Sequence, residues 1–229
     1  MDGVTREELI GRLQYTNVRA DATRADIQAH CETAARYGFQ AVMLQPCWVE
    51  LARDILRGTA IHVATAICYP MGGETTAMKT ALAREVVRLG ADEFDFQPNI
   101  GMLRSGMHRE FLEEIRAIVE AANGRSTKSM SEFGFLDEQQ RVLAITLAEE
   151  GGVDYVKNSS GVGPGGSPAT PEIIRFMRAH LTGKARIKAS GQIRGYAQTL
   201  ALLEAGAHLI GTSAAPSIAD GQGMETSAY

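Results

Sequence analysis

The chain has 229 residues, 45% of them hydrophobic and 22% charged, with a formal net charge of -4. That length suits one large α/β domain, and the mildly acidic balance gives no support for a nucleic-acid or membrane-surface partner. Cys31, Cys47 and Cys68 make no C-x-x-C pair, no apolar run approaches a membrane span and M-D-G-V-T-R-E-E-L-I lacks a signal peptide's apolar core, so a reducing, cytoplasmic setting is expected.

Thr5-Arg6-Glu7-Glu8 has the form of a capping box and predicts a short N-terminal helix, with a first strand over Leu13 to Val18. Asp21-Ala22-Thr23 opens a helix running to about Arg36, where Tyr37-Gly38 closes it. Gln40 to Leu44 is a short buried strand, Trp48 to Leu56 a helix and Ile61 to Ile67 a third strand. Glu74 to Leu89 is helical, Asp92 to Gln97 a fourth strand, and Pro98-Asn99-Ile100-Gly101 the loop after it. Met107 to Ala122 is an amphipathic helix with Phe111, Ile115, Ile118 and Val119 on one face. Ser126 to Ser131 is a weak fifth strand, and Asp137 to Glu150 a helix ended by Gly151-Gly152. A sixth strand runs from Val153 to Lys157, a helix spans Thr170 to Leu181 with Pro171 in its first turn, and a seventh strand begins at Arg186. Tyr196 to Ala205 is a helix stopped by Gly206, His208 to Gly211 is an eighth strand, and residues from about 214 to 229 form a C-terminal helix and flexible tail.

Eight short strands, each followed by a helix, with no linker or composition shift, predict one (β/α)8 TIM barrel carrying a short N-terminal helix. An open doubly wound sheet needs fewer units, and no G-x-G-x-x-G follows the first strand.

Residues at the C-terminal ends of barrel strands face the site. Three such residues carry chemistry: Asp95 in strand four, Lys157 at the end of strand six and Lys188 in strand seven. Alternation sends Glu93, Asp95 and Gln97 into the barrel and Phe94 and Phe96 towards the helices. Any one of the three candidates taken alone reads first as half of a structural ion pair, whereas all three at one end of a barrel point to function. Two ammonium groups held close disfavour each other's charge, and an amine that loses its proton attacks a carbonyl to form a Schiff base. A carboxylate between them moves protons during carbinolamine breakdown and enamine formation. This is the physical outline of a class I aldolase.

The stretches Y-V-K-N-S-S-G, I-K-A-S-G-Q-I-R, G-A-D-E-F-D and I-G-T-S, in this order, resemble the deoxyribose-phosphate aldolase family. The likeness runs from Ala20 to Ser213 and takes in Cys68-Tyr69-Pro70-Met71-Gly72 as well as Lys128 and Glu132. It implies a barrel that joins acetaldehyde to glyceraldehyde 3-phosphate with neither metal nor organic cofactor. By resemblance Lys157 is the Schiff-base lysine, Lys188 the lysine that lowers its pKa, Asp95 the proton-relay carboxylate and Tyr229 a terminal tyrosine aiding proton transfer. Gly161, Gly191, Gln192, Gly211, Ser213 and Thr16 are the expected substrate and phosphate contacts, and a homodimer or homotetramer is the implied assembly.

The chain departs from the family pattern in the residues expected to read the substrate. Asn158-Ser159-Ser160 stands for T-S-T, Gln192 for the second glycine of S-G-G-I-R, Gln14-Tyr15 for the D-H that gives the barrel mouth a polar pair, Met43 for a common cysteine, and Ala214 for a second serine. A family aldolase acting on a different aldehyde, and a catalytically silent barrel, therefore stand as alternatives. A phosphate-binding isomerase would need an acid–base pair that the two lysines do not supply. Arg194 reads as a partner for an aspartate or a phosphate, and equally as half of a helix-start salt bridge. The five histidines show no metal-binding spacing; His30 and His180 are expected on exposed helix surfaces, and Cys47 and Cys68 in buried packing.

Overall fold

The computed structural model describes residues 4–222. Its helices begin where the sequence supplies caps. Thr5, Thr23, Thr75, Asp137 and Thr170 each accept a hydrogen bond from the backbone N–H three residues on, satisfying a donor that the first turn leaves free. The result is α1 (Arg6–Ile10), α2 (Arg24–Tyr37), α3 (Val49–Ile55), α4 (Thr76–Leu89), α5 (Ile100–Arg104), α6 (His108–Ala121), α7 (Glu138–Glu150), α8 (Pro171–His180), α9 (Tyr196–Ala205) and α10 (Ala215–Ala219). None of them is long and apolar enough to cross a membrane.

Eight strands alternate with them: β1 (Leu13–Asn17), β2 (Ala41–Leu44), β3 (His62–Ile67), β4 (Glu93–Phe96), β5 (Ser126–Met130), β6 (Tyr155–Lys157), β7 (Arg186–Ser190) and β8 (Leu209–Thr212). Each pairs in parallel with the next and β8 closes on β1, so the sheet is a complete barrel in sequence order. The (β/α)8 expectation holds.

Three details differ from the sequence reading. The segment after β4, read as loop, contains α5, because Asn99 caps it through the N–H of Met102. A 3-10 turn over Pro46–Trp48 precedes α3. The fifth strand is well formed although S-T-K-S-M is poor in β-formers. Lys128 at its centre points into the barrel, where it finds a carboxylate, so pairing rather than propensity fixes the strand. At the C-terminus α10 is a single short helix, and residues 223–229, Tyr229 among them, lie outside the described part.

The main core lies between sheet and helices and includes Phe94, Phe96, Phe111, Ile115 and Ile118. Inside the barrel the halves differ. β2 and β3 present the small cluster Ala41, Met43, Ala64 and Ala66, whereas β4 to β7 present charges. One fully buried ion pair sits outside the barrel. Lys79 on α4 donates to Glu114 on α6 at 2.8 Å and also to the carbonyls of Gly72 (2.7 Å) and Gln97 (3.0 Å), tying the loop after β3 to the loop after β4.

Candidate active site

β6 and β7 are in register so that Lys157 and Lys188 are direct Cα partners. Both side chains point into the barrel, where Lys157 Nζ lies 2.8 Å and Lys188 Nζ 2.7 Å from the same oxygen, Oδ2 of Asp95. The two nitrogens are therefore no more than about 5.5 Å apart, the sum of those contacts. Asp95 is wholly buried; its Oδ1 has no hydrogen-bond partner, and Lys128 Nζ lies 3.8 Å from it. Burial alone would raise the Asp95 carboxyl, but Lys157, Lys188 and Lys128 outweigh it and hold the group down at about 2, so it is a carboxylate.

The amine that burial pushes down is Lys188. Loss of solvent is the largest cause, the Asp95 charge opposes it, Lys157 and Lys128 add to it, and the pKa falls to about 7. The resemblance casts Lys188 only as the neighbour that lowers Lys157, yet the structure draws Lys188 itself towards neutrality. The reason is depth: Lys188 is 1% exposed, at the floor of the barrel mouth.

Below this triad lies a second layer that sequence reasoning missed. Lys128 is in contact with Glu93 Oε2, while Glu93 Oε1 accepts from Gln40 (2.9 Å) and faces His62 Nδ1 (3.2 Å). Burial opposes ionisation of Glu93, but Lys128, His62 and Gln40 outweigh it and hold its pKa well below the usual carboxylate range. Gln14 joins the layers: its Nε2 donates to Glu93 (3.0 Å) and to Gln40 (2.7 Å), and its Oε1 accepts from Lys188. The Gln14-Tyr15 departure was expected to strip polarity from the barrel mouth. Instead Gln14 is a buried polar member of the interior, and Tyr15 turns outward to stack on His30 with ring centroids 3.7 Å apart. The inward alternation of Glu93 and Lys128 was the available signal for this layer.

A cavity of about 760 Å³ opens over the two lysines at the C-terminal end of the barrel. Thr16, Gly161, Gly191, Gln192, Gly211 and Ser213 all line it, so the expected contacts converge. One of the glycines is sterically required: a Cβ on Gly191 would come 2.3 Å from the carbonyl of Ser167, at a φ of +107, whereas one on Gly211 would sit tightly, 3.1 Å from the flexible Lys188 side chain at Cε. The loop after β6 is pinned from both sides. Asn158 exchanges two 2.9 Å bonds with the backbone of Ser190, and Glu132 accepts from the Ser159 hydroxyl and the Ser160 N–H, each at 3.0 Å. Arg194 lines the cavity too, exposed and in no ion pair among the described residues.

Gln192 holds a left-handed φ of 54, where a Cβ is strained. Replacing it with glycine is expected to stabilise the fold by about 0.5–1 kcal/mol, the strain relieved less the extra freedom glycine gains when unfolded. Urea unfolding measures this, and a loss of stability would show that the Gln192 side chain holds the loop.

Two further expectations are corrected. His30 is buried rather than exposed: its Nε2 faces the Tyr15 carbonyl at 3.0 Å, and burial pushes its pKa down to about 4. Cys47 is exposed, because the 3-10 turn carries it away from the core, while Cys68 is buried as expected. Among the described residues no group of three His, Cys, Asp or Glu is placed to hold a metal. The position of Tyr229 lies outside those residues.

The chain matches no family model. It is 36% identical to deoxyribose-phosphate aldolase of Dictyoglomus turgidum over 220 residues, covering 96% of this chain and 100% of that protein. It is 38% identical to deoxyribose-phosphate aldolase of Carboxydothermus hydrogenoformans over 222 residues, covering 95% and 96%. Among solved structures it resembles QR15, an aldolase (TM-score 0.88, 28% identity, 93% of this chain and 94% of that one). It also resembles the tetrameric deoxyribose phosphate aldolase of Aeropyrum pernix (TM-score 0.86, 25% identity, 94% and 91%).

Proposed function

The chain belongs to the deoxyribose-phosphate aldolase family, and from that premise we propose that it interconverts 2-deoxy-D-ribose 5-phosphate with glyceraldehyde 3-phosphate and acetaldehyde through a Schiff base on Lys157. It is an aldolase, a carbon–carbon lyase. The observation that supports the lysine chemistry is the pair of amines on one buried carboxylate oxygen at the floor of an open cavity.

In the cleavage direction the Nζ of Lys157, the less buried amine, adds to the C1 aldehyde of the open-chain sugar to give a carbinolamine. Loss of water gives the iminium. The C3 hydroxyl then loses its proton, the C2–C3 bond breaks, and its electron pair passes into the iminium, releasing glyceraldehyde 3-phosphate and leaving an enamine. Protonation at C2 restores an iminium, and hydrolysis frees acetaldehyde and Lys157. Asp95 Oδ2 touches both amines, so it can take a proton from one and hand it to the other, returning to the carboxylate each time.

The phosphate falls, in this reading, at the C-terminal ends of β7 and β8, where Gly191, Gln192, Gly211 and Ser213 line the cavity and Arg194 adds a cation. We place the protein in a homo-oligomer by likeness to the Aeropyrum pernix tetramer; the exposed side chains of Met71, Met78 and Leu82 offer apolar surface for it, and light scattering reads the mass directly.

Borohydride reduction in the presence of acetaldehyde, with mass mapping, tests the reading. The expected result is a stable adduct on Lys157 and cleavage of deoxyribose 5-phosphate. A trapped adduct on Lys188, or none, would overturn it.

A further inference from the structure

The interior of the barrel holds three amines, Lys128, Lys157 and Lys188, against two carboxylates, Glu93 and Asp95. Among the described residues the other elements bring no third anion into contact with these amines; Glu132, buried just past β5, is taken up by Ser159 and Ser160. β2 offers Ala41 and Met43, β3 offers Ala64 and Ala66, and β8 offers Leu209 and Gly211. At the lower rim His62 faces Glu93, and the Arg186 guanidinium lies 4.3 Å from the centre of the Tyr155 ring; both can only add positive charge. Glu93 is engaged by Lys128, and Asp95 is shared by Lys157 and Lys188. The remaining polar partner of Lys188 is Gln14, a side chain with no accessible surface.

The chemistry of the two layers fixes how that amide lies. Its NH2 must face the Glu93 carboxylate, 3.0 Å away, and its oxygen must face Lys188; turned over, it would set oxygen against carboxylate and N–H against amine. Gln14 therefore gives Lys188 a hydrogen-bond acceptor with no counter-charge. Buried cations keep their protons when each has an anion, and an amine lacking one gives its proton up first.

We propose that Gln14 is a positioning residue that sets the pH at which the lysine pair loses a proton, by occupying with a neutral amide the place where a carboxylate would complete the charge balance of the barrel. It touches no substrate and does not line the cavity; it acts through Lys188. The lowered pKa of Lys188 agrees with this. The inference rests on the Schiff-base reading above.

The test is the pH dependence of borohydride trapping with acetaldehyde, alongside the acid limb of kcat/KM for cleavage. In Gln14→Glu the new carboxylate stands beside Lys188, so the acid limb should move up by about one pH unit or more, as an opposite charge at this range produces. Gln14→Asp, shorter and farther from Glu93, should move it the same way. Gln14→Met keeps the volume but removes the acceptor that favours the charged Lys188, so its limb should move down by about half a unit or more while stability falls. An unmoved limb in a folded carboxylate variant, or in the Met variant, overturns the proposal. If neither carboxylate variant folds, the Met variant decides on the same criterion. Failure of the Schiff-base reading looks different: the wild type itself then yields no trapped adduct at any pH.

Discussion

Lys157→Met is expected to lower kcat/KM for aldol cleavage by about 10⁴-fold or more, the scale of loss when a covalent nucleophile is removed, and to abolish the borohydride-trapped adduct. Methionine keeps the length and apolar stem of the side chain and removes only the nitrogen. The fold should tolerate this well. Without Lys157 the barrel interior holds Lys128 and Lys188 against Glu93 and Asp95, a balanced set, so the thermal midpoint should not fall. That separation carries the force of the test: an inactive but stable variant places the loss in chemistry. Residual activity above about one per cent would mean that another amine forms the Schiff base, and Lys188, which also borders the cavity, would be the one to map.

Asp95→Asn should damage both stability and activity. Asp95 is the carboxylate that the amines of Lys157 and Lys188 both touch, and it lies 3.8 Å from Lys128. Its loss leaves three buried amines with Glu93 alone, and breaking a buried pair from one side costs about 3–5 kcal/mol. The sign of the pH dependence follows. Lys188 has a folded-state pKa near 7 against an ordinary value of 10.5, so between those limits the unfolded chain binds more protons than the folded one. Stability from this source rises with pH across that window. Removing Asp95 takes away the charge that opposes the shift, which lowers the folded pKa further and steepens the rise. Urea unfolding at pH 7 and at pH 9.5 should therefore show the gap between wild type and Asp95→Asn narrowing at the higher pH. A constant gap would mean that the penalty comes from packing around the amide.

The barrel was legible because its signals are local: caps at Thr5, Thr23 and Asp137, glycine stops at Gly38, Gly90 and Gly206, and strand lengths of four to six residues for most strands. The pairing of Lys157 with Lys188 was legible for the same reason, as two lysines at matching strand ends. The second charged layer was not. Glu93 and Lys128 meet across two adjacent strands, and Gln14 meets Lys188 across the closure of the barrel, a contact between residues 174 apart in sequence. Only the register makes such neighbours. His30 was misjudged because a helix position next to polar residues looks exposed, whereas Tyr15 covers it. Asn158 looked like a change in how substrate is read; it bonds to Ser190 instead, a structural role that spacing does not reveal.

The buried contact of Lys79 with Glu114 bears on engineering. Tyr69 and Pro70, which form one wall of the cavity, sit on a segment whose end at Gly72 is held by Lys79, and Lys79 is held in turn by a residue on α6. That wall is thus anchored to a helix of the next βα unit along the chain. A segment transplanted here from a relative to alter substrate range would arrive without its own anchor. Such chimaeras should succeed when the graft extends from β3 through α6 and fail when it stops at α4.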